Sequence, residues 1–147
     1  MEIIKTSFGN FLLSTENGYL NSLKITNEKE SKELSPLAKK LRLELEEYFS
    51  HKRKKFTIPL RPNGTEFQKA VWNELLKIDY GNTTTYSEIA KRIGNENASR
   101  AVGGANNKNP IIILIPCHRV IGKNNSLVGY SEGLDIKRKL LEIEKNR

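Results

Sequence analysis

Thr85-Tyr86-Ser87-Glu88-Ile89-Ala90-Lys91-Arg92-Ile93-Gly94-Asn95-Glu96-Asn97-Ala98-Ser99-Arg100-Ala101-Val102-Gly103-Gly104-Ala105-Asn106 reads as two short helices joined by a tight turn. Thr85 to Glu88 has the form of a capping box, which starts the first helix. Ile89, Ala90 and Ile93 continue it and Gly94 stops it. The second helix runs through Ala98 to Asn106. Two short helices with a glycine between them predict a helix-turn-helix. The second helix is unusual, because Gly103 and Gly104 each cost about 1 kcal/mol relative to alanine in a helix interior. Such a sequence implies close approach of its backbone to packed protein or to nucleic acid. On the outer part of that helix only Arg100 is long.

Toward the C-terminus, Asn109-Pro110 ends this unit. Ile111-Ile112-Ile113-Leu114-Ile115 predicts a buried strand or extended segment. Pro116-Cys117-His118-Arg119-Val120 follows, and Cys117 is the only cysteine of the chain. A lone cysteine excludes an intrachain disulfide and a multi-cysteine metal site. Two readings remain, a buried structural thiol and a nucleophile. A free thiol has a pKa of about 8.5, so a nucleophile needs a cation or base nearby; His118 and Arg119 are candidates. Gly122, Asn124-Asn125 and Gly129 mark a loop or hairpin over residues 121–130. A last helix is predicted from Leu134 to Lys145, with Ile136, Leu140 and Leu141 inward.

Toward the N-terminus, Thr65-Glu66-Phe67-Gln68 is another capping box. Its helix carries Phe67, Val71, Leu75 and Ile78 on one face. Pro59, Pro62 and Gly64 punctuate the chain before it, which places a domain boundary between residues 1–58 and 59–147. Ser35 and Pro36 predict a helix start. Leu37, Leu41, Leu45 and Tyr48 give that helix a buried face, and His51-Lys52-Arg53-Lys54-Lys55 ends it. This basic run reads either as a solvated face or as a phosphate contact. Residues 1–26 read as β-structure divided by the turn pairs Gly9-Asn10 and Asn17-Gly18.

The chain has 147 residues, with 25 Lys plus Arg against 17 Asp plus Glu, a net charge of +8. That excess suits a polyanionic partner such as nucleic acid, or simply a protein kept in solution by its charge. No stretch approaches the roughly 20 apolar residues needed to span a membrane. Met1-Glu2-Ile3-Ile4-Lys5 lacks the form of a signal peptide. With one free thiol, the expectation is a cytoplasmic protein without a membrane.

Pro116-Cys117-His118-Arg119-Val120-Ile121-Gly122 resembles the O6-alkylguanine-DNA alkyltransferases. Gly64-Thr65-Glu66-Phe67-Gln68, Val71-Trp72, Thr84-Thr85-Tyr86, Ile89-Ala90, Arg100-Ala101-Val102-Gly103, Asn109-Pro110, Gly129-Tyr130-Ser131 and Leu140-Leu141 to Glu144 fall in that family's order. The likeness covers residues 36–147, and residues 1–26 in outline. It implies an α+β fold: a small N-terminal antiparallel sheet with a helix, ribonuclease H-like, then a mostly helical domain with a helix-turn-helix of winged-helix type. It also implies irreversible transfer of an alkyl group from guanine O6, and also from O4-alkylthymine, to Cys117. His118 matches the family's base, acting through a bridging water, and Glu144 the carboxylate that orients it. An extended chain would point Cys117 and His118 to opposite sides, which agrees with a water between them.

The same resemblance assigns Tyr86 to guanine N3 and the Ser131 amide to O6. Arg100 matches the residue that fills the gap left by a flipped nucleotide, and Asn109 the brace between the helix-turn-helix and the active segment. Ala98, Ala101, Gly103 and Val120 are further candidates for contact with DNA or substrate. The implied partner is double-stranded DNA containing O6-alkylguanine, bound by a monomer. No cofactor and no metal are expected; the N-terminal part has no cysteine and only His51. Glu132 replaces a common glycine, which predicts a narrower alkyl pocket and restricted φ at that position. Three rivals stand beside this reading: an alkyltransferase-like binding module, a helix-turn-helix regulator and a cysteine hydrolase. Cys117 argues against the first, whose members lack that cysteine.

Overall fold

The computed structural model describes residues 1–123 and 126–145, so the Asn124-Asn125 pair lies outside the described residues. The chain forms two compact units, Met1–Pro62 and Asn63–Arg147. This division falls later than the one read at Pro59, because residues 59–61 pair with the first sheet. The Leu20 amide donates to Pro59 O and the Arg61 amide to Leu20 O, both at 2.9 Å.

The first unit holds β1 (Glu2–Lys5), β2 (Asn10–Glu16) and β3 (Tyr19–Thr26), antiparallel in the order β1-β2-β3. Asn17 and Gly18 both take positive φ, +53° and +82°. That is the two-residue hairpin turn which asparagine and glycine favour, and it fixes the pairing of Glu16 with Tyr19. Helix α1 (Pro36–Phe49) starts where the Ala38 amide donates to the Ser35 hydroxyl. Ala38, Leu41, Leu45 and Tyr48 form its buried face, and Ile4, Phe11, Leu13, Leu20 and Leu23 are buried on the strands. Ala38 takes the inward place expected of Leu37, which is only half-buried. Glu44 is also buried on α1, where its carboxylate accepts from the Thr57 amide and hydroxyl.

The second unit holds α2 (Glu66–Leu75), β4 (Thr84–Thr85), α3 (Tyr86–Arg92), α4 (Ser99–Asn107), a 3-10 turn (Cys117–Arg119), β5 (Val120–Ile121) and α5 (Leu134–Lys145). The box at Thr65 is complete: Gln68 N–H donates to the threonine oxygen and Gln68 Oε1 accepts from the Thr65 amide. Just before it, a Cβ on Gly64 would lie 2.5 Å from Trp72 Cη2, so only glycine lets the chain pass the indole. Trp72 Nε1 in turn donates to Ala105 O at 2.9 Å and ties α2 to α4. Thr85 caps α3 through the Glu88 amide.

The fold is therefore mixed α/β, with a three-stranded antiparallel sheet in the first unit and helices dominating the second. Two further sequence expectations fail here. Residues 111–115 form no strand: Ile115 N–H reaches back to Ile111 O and Leu114 N–H to Ile112 O, which makes a buried turn. An apolar run shows that a segment is inside, but not which backbone shape it takes. The inward face of α5 is Lys137, Leu140 and Glu144, while Ile136 and Leu141 are half-buried. These two faces differ by about one residue of rotation, which periodicity alone does not separate.

Candidate active site

The site is built where β4 and β5 pair in parallel, Thr84 with Val120 and Thr85 with Ile121. β4 runs directly into Tyr86 at the start of α3. β5 begins directly after the turn that carries Cys117. One short ladder thus sets the tyrosine and the thiol in register.

Asn109 fixes the turn in front of the thiol. Its Nδ2 donates to Ile115 O at 2.7 Å and its Oδ1 accepts from the Ile111 amide at 3.0 Å. Between them Ile113 is held at φ +71°, a conformation that costs a β-branched residue about 1–3 kcal/mol and persists only where its surroundings impose it. The Asn106 side chain donates to Cys117 O at 3.3 Å, so α4 also touches the reactive segment.

Cys117 is 1% exposed. Burial pushes its pKa up to about 11, against the opposing effects of the Asn109 side chain, the Tyr130 hydroxyl and the Lys137 charge. The Tyr130 hydroxyl is buried beside the thiol without the alignment of a formed hydrogen bond. The sequence offered His118 and Arg119 as the groups that lower this pKa. Both instead bond to the Glu144 carboxylate. The extended geometry assumed for Cys117 and His118 is also absent, because both lie in the 3-10 turn.

His118 is completely buried. Its Nε2 lies 2.6 Å from Glu144 Oε2, and its Nδ1 has no protein partner among the described residues. Burial lowers the imidazole pKa below its ordinary value, and Glu144 only partly offsets this. The ring is therefore neutral at neutral pH. A carboxylate accepts, so Nε2 carries the proton and Nδ1 keeps its lone pair. Burial would raise the Glu144 pKa, but hydrogen bonds and charge from His118 and Arg119 hold it well below the usual carboxylate range.

Arg119 grips the same carboxylate, with Nε to Oε1 at 2.8 Å and Nη2 to Oε2 at 3.0 Å, and donates through Nη1 to Ile78 O at 2.6 Å. The Gly81 amide adds a bond to Glu144 Oε1 at 3.2 Å. Sequence reasoning placed Arg119 beside the thiol; in the structure it serves the carboxylate behind the histidine.

Tyr86 Oη donates to Val128 O at 2.9 Å, beside Gly129 O at 3.5 Å. Burial, then the nearby Cys117, raises its pKa, so it remains a donor. Gly129 has φ +57°, and a Cβ there would lie 3.4 Å from that hydroxyl. Ser131 is exposed, as are Arg100 and Ala101 on α4. Ala98 and Val120 are buried. Gly103 would have only an ordinary contact with Tyr86 at 3.9 Å, and a Cβ on Gly104 would meet nothing within 4 Å. Packing within this chain therefore does not require either glycine. Glu132 is absent from the residues with positive φ, and Gly133 takes φ +98° instead. The backbone argument about Glu132 is thus wrong.

Residues 66–146 match the family described as 6-O-methylguanine DNA methyltransferase, DNA binding domain. The chain belongs to that family. It is 62% identical over 101 residues to a methylated-DNA–protein-cysteine methyltransferase of Methanosarcina acetivorans, a match covering 69% of this chain and 65% of the relative. The chain thus spans less than two thirds of that relative's length. The Mycobacterium tuberculosis O6-methylguanine methyltransferase has a crystal structure with TM-score 0.87 and 40% identity, covering 99% of this chain and 92% of the other. The M. tuberculosis protein has also been crystallised in complex with DNA; that structure has the same score and identity, over 97% and 91%. Schizosaccharomyces pombe Atl1, solved with damaged DNA containing O6-carboxymethylguanine, is 31% identical over 56% of this chain and 78% of the other, with TM-score 0.50. Among the described residues no helix is long and apolar enough to cross a membrane.

Proposed function

We propose that this protein repairs DNA by moving the alkyl group of O6-alkylguanine onto Cys117, once per chain. The observation that carries this is the buried chain from thiol segment to His118 to Glu144, with Nε2 held by the carboxylate and Nδ1 left to accept a proton. The Cys117 proton passes through a water to Nδ1. The thiolate attacks the alkyl carbon, a C–S bond forms, and the C–O6 bond breaks with its electron pair going to guanine. A thioether is a poor leaving group, so the protein is consumed. The same chemistry extends to O4-alkylthymine.

Charge on the departing base is met by electrostatic stabilisation: Tyr86 Oη toward N3 and the Ser131 amide toward O6. Tyr86 must first give up Val128 O, so the resting site is closed and opens with the base. The target nucleotide is flipped out, since a buried thiol cannot reach into the stack. Arg100 fills the gap, and α4 lies in the groove with Ala101, Gly103 and Gly104 against the DNA. The protein acts as a cytoplasmic monomer. We read the first unit as ribonuclease H-like and the helix-turn-helix as winged-helix type. The net charge of +8 supports sequence-independent binding that weakens with salt.

The test is stoichiometry. DNA carrying labelled O6-methylguanine is incubated with the protein, and methyl groups per chain are counted. One methyl on Cys117, and none in Cys117→Ala with DNA affinity kept, is expected. Many turnovers would make it a hydrolase; binding without transfer would make it a recognition module.

A further inference from the structure

Lys137 brackets the segment that carries Tyr130 and Ser131. It is completely buried on α5. Its ammonium donates to Val128 O at 2.8 Å, with Gly129 O at 3.4 Å. Its own backbone amide donates to Gly133 O at 3.2 Å. One residue thus holds both ends of a strap that runs from Val128 to Gly133. Lys137 makes no ion pair among the described residues. A buried lysine without a counter-charge is costly, and lysines so placed are rare. Its bonds to the strap are what offset that cost.

Inside the strap one peptide plane is fixed. Gly129 and Gly133 take φ +57° and +98°, which turns the chain at both ends. The Gly133 amide donates to Tyr130 O at 3.0 Å. A trans peptide points its N–H opposite to its C=O, so the Ser131 amide faces out of this turn. Ser131 is exposed, and its amide has no partner within the chain among the described residues. The strap therefore presents a free backbone donor in a set direction. Among the described residues, the side chains that bond the strap backbone are Lys137 and Tyr86. Tyr86 uses the same two carbonyls, Val128 O at 2.9 Å and Gly129 O at 3.5 Å. When the tyrosine leaves them for the base, Lys137 is the side chain that still holds the strap.

We propose that Lys137 is a positioning residue for alkyl transfer: by pinning the Val128 and Gly129 carbonyls to α5, it holds the Ser131 amide where charge develops on guanine O6 as the C–O6 bond breaks. This rests on the transfer reading above, in which that amide meets O6, and names the group that keeps it there. An ammonium suits the task, because a compact head with three donors can hold two carbonyls at once.

The test compares two alkyl donors on the full chain. Single-turnover methyl transfer from duplex DNA carrying O6-methylguanine, at saturating DNA, needs a donor at O6. Iodoacetamide alkylates the same thiol and has no guanine to leave. Lys137→Met should slow methyl transfer at least about tenfold, toward the 10²–10³-fold that loss of one such donor costs. Its iodoacetamide alkylation should be unchanged or faster, since a looser strap uncovers the thiol. Thermal midpoints measured alongside establish that the variant is folded. Should the methionine variant not fold, Lys137→Gln, whose side chain is too short to reach both carbonyls, takes its place with the same expectation. A folded variant that transfers methyl at the wild-type rate overturns the proposal. So does one in which both reactions slow by the same factor, because Lys137 would then act on the thiol or on the whole site. Failure of the transfer reading looks different: wild type itself would take up no methyl.

Discussion

Glu144→Gln tests the centre of the site, because that carboxylate serves several partners at once. Oε2 meets His118 Nε2 and Arg119 Nη2, and Oε1 meets Arg119 Nε and the Gly81 amide. An amide offers one oxygen and one NH2. With the NH2 on the Oε1 side, it confronts two donors that cannot change, Arg119 Nε and the Gly81 amide. On the Oε2 side it confronts only Arg119 Nη2, because the imidazole can move its proton to Nδ1 and accept through Nε2. The second arrangement strands fewer donors and should win. It removes the lone pair from Nδ1, so transfer should slow by about 10²–10⁴-fold, the usual worth of general-base assistance. It also leaves the buried Arg119 charge unpaired, at a cost of about 3–5 kcal/mol. That is a large share of the roughly 5–15 kcal/mol by which domains are stable. Urea unfolding and single-turnover methyl transfer measure the two effects separately. Adding Arg119→Met should recover most of the stability and none of the rate, since the tautomer stays wrong. A Glu144→Gln protein with wild-type urea midpoint and wild-type transfer rate would refute the reasoning. A double variant that regained its rate would show that Arg119, not the histidine tautomer, governs the chemistry.

Asn109→Ala removes both bonds that hold the turn at Ile113; a loss of about 2–4 kcal/mol in urea unfolding is expected from two buried partners left unpaired, with slower transfer, and an unchanged midpoint would contradict the clamp. Arg100→Ala should lose repair of duplex DNA while keeping reaction with the free base, because only a flipped nucleotide needs a filler; equal losses on both substrates would place Arg100 in folding or chemistry instead. Stability should also fall at alkaline pH. The thiol pKa is raised on folding from its ordinary 9.0 to about 11, so the unfolded chain ionises first. The contribution is complete below pH 9 and is lost between 9 and 11, roughly 3 kcal/mol at most. Chemical unfolding across that window should show a steeper decline in wild type than in Cys117→Ala, and parallel curves would contradict the buried neutral thiol.

Much of this protein was legible in its residues because the signals are local. The box at Thr65-Gln68, the Asn17-Gly18 turn and the Ser35-Pro36 start are each set by neighbours in the chain, and each forms as read. The order of Cys117, His118, Tyr86 and Glu144 could be recognised for the same reason, as motif matches along the chain. Orientation was not local. Residues 111–115 were visibly buried, but whether they extend or turn depends on Asn109 closing hydrogen bonds across them. Arg119 looked like a helper of its neighbour, and faces away from it because a carboxylate 25 residues later offers a better-shaped partner. Apolar spacing puts Ile136, Leu140 and Leu141 of the last helix inward; a rotation of α5 of about one residue turns Lys137 and Glu144 inward instead, and that rotation is fixed by what the helix packs against. Chain order alone thus determined which groups are present and where the elements begin. Only tertiary packing decided which lone pair His118 presents, which carboxylate Arg119 grips, and that the thiol rests buried and neutral, because burial and charge act through space.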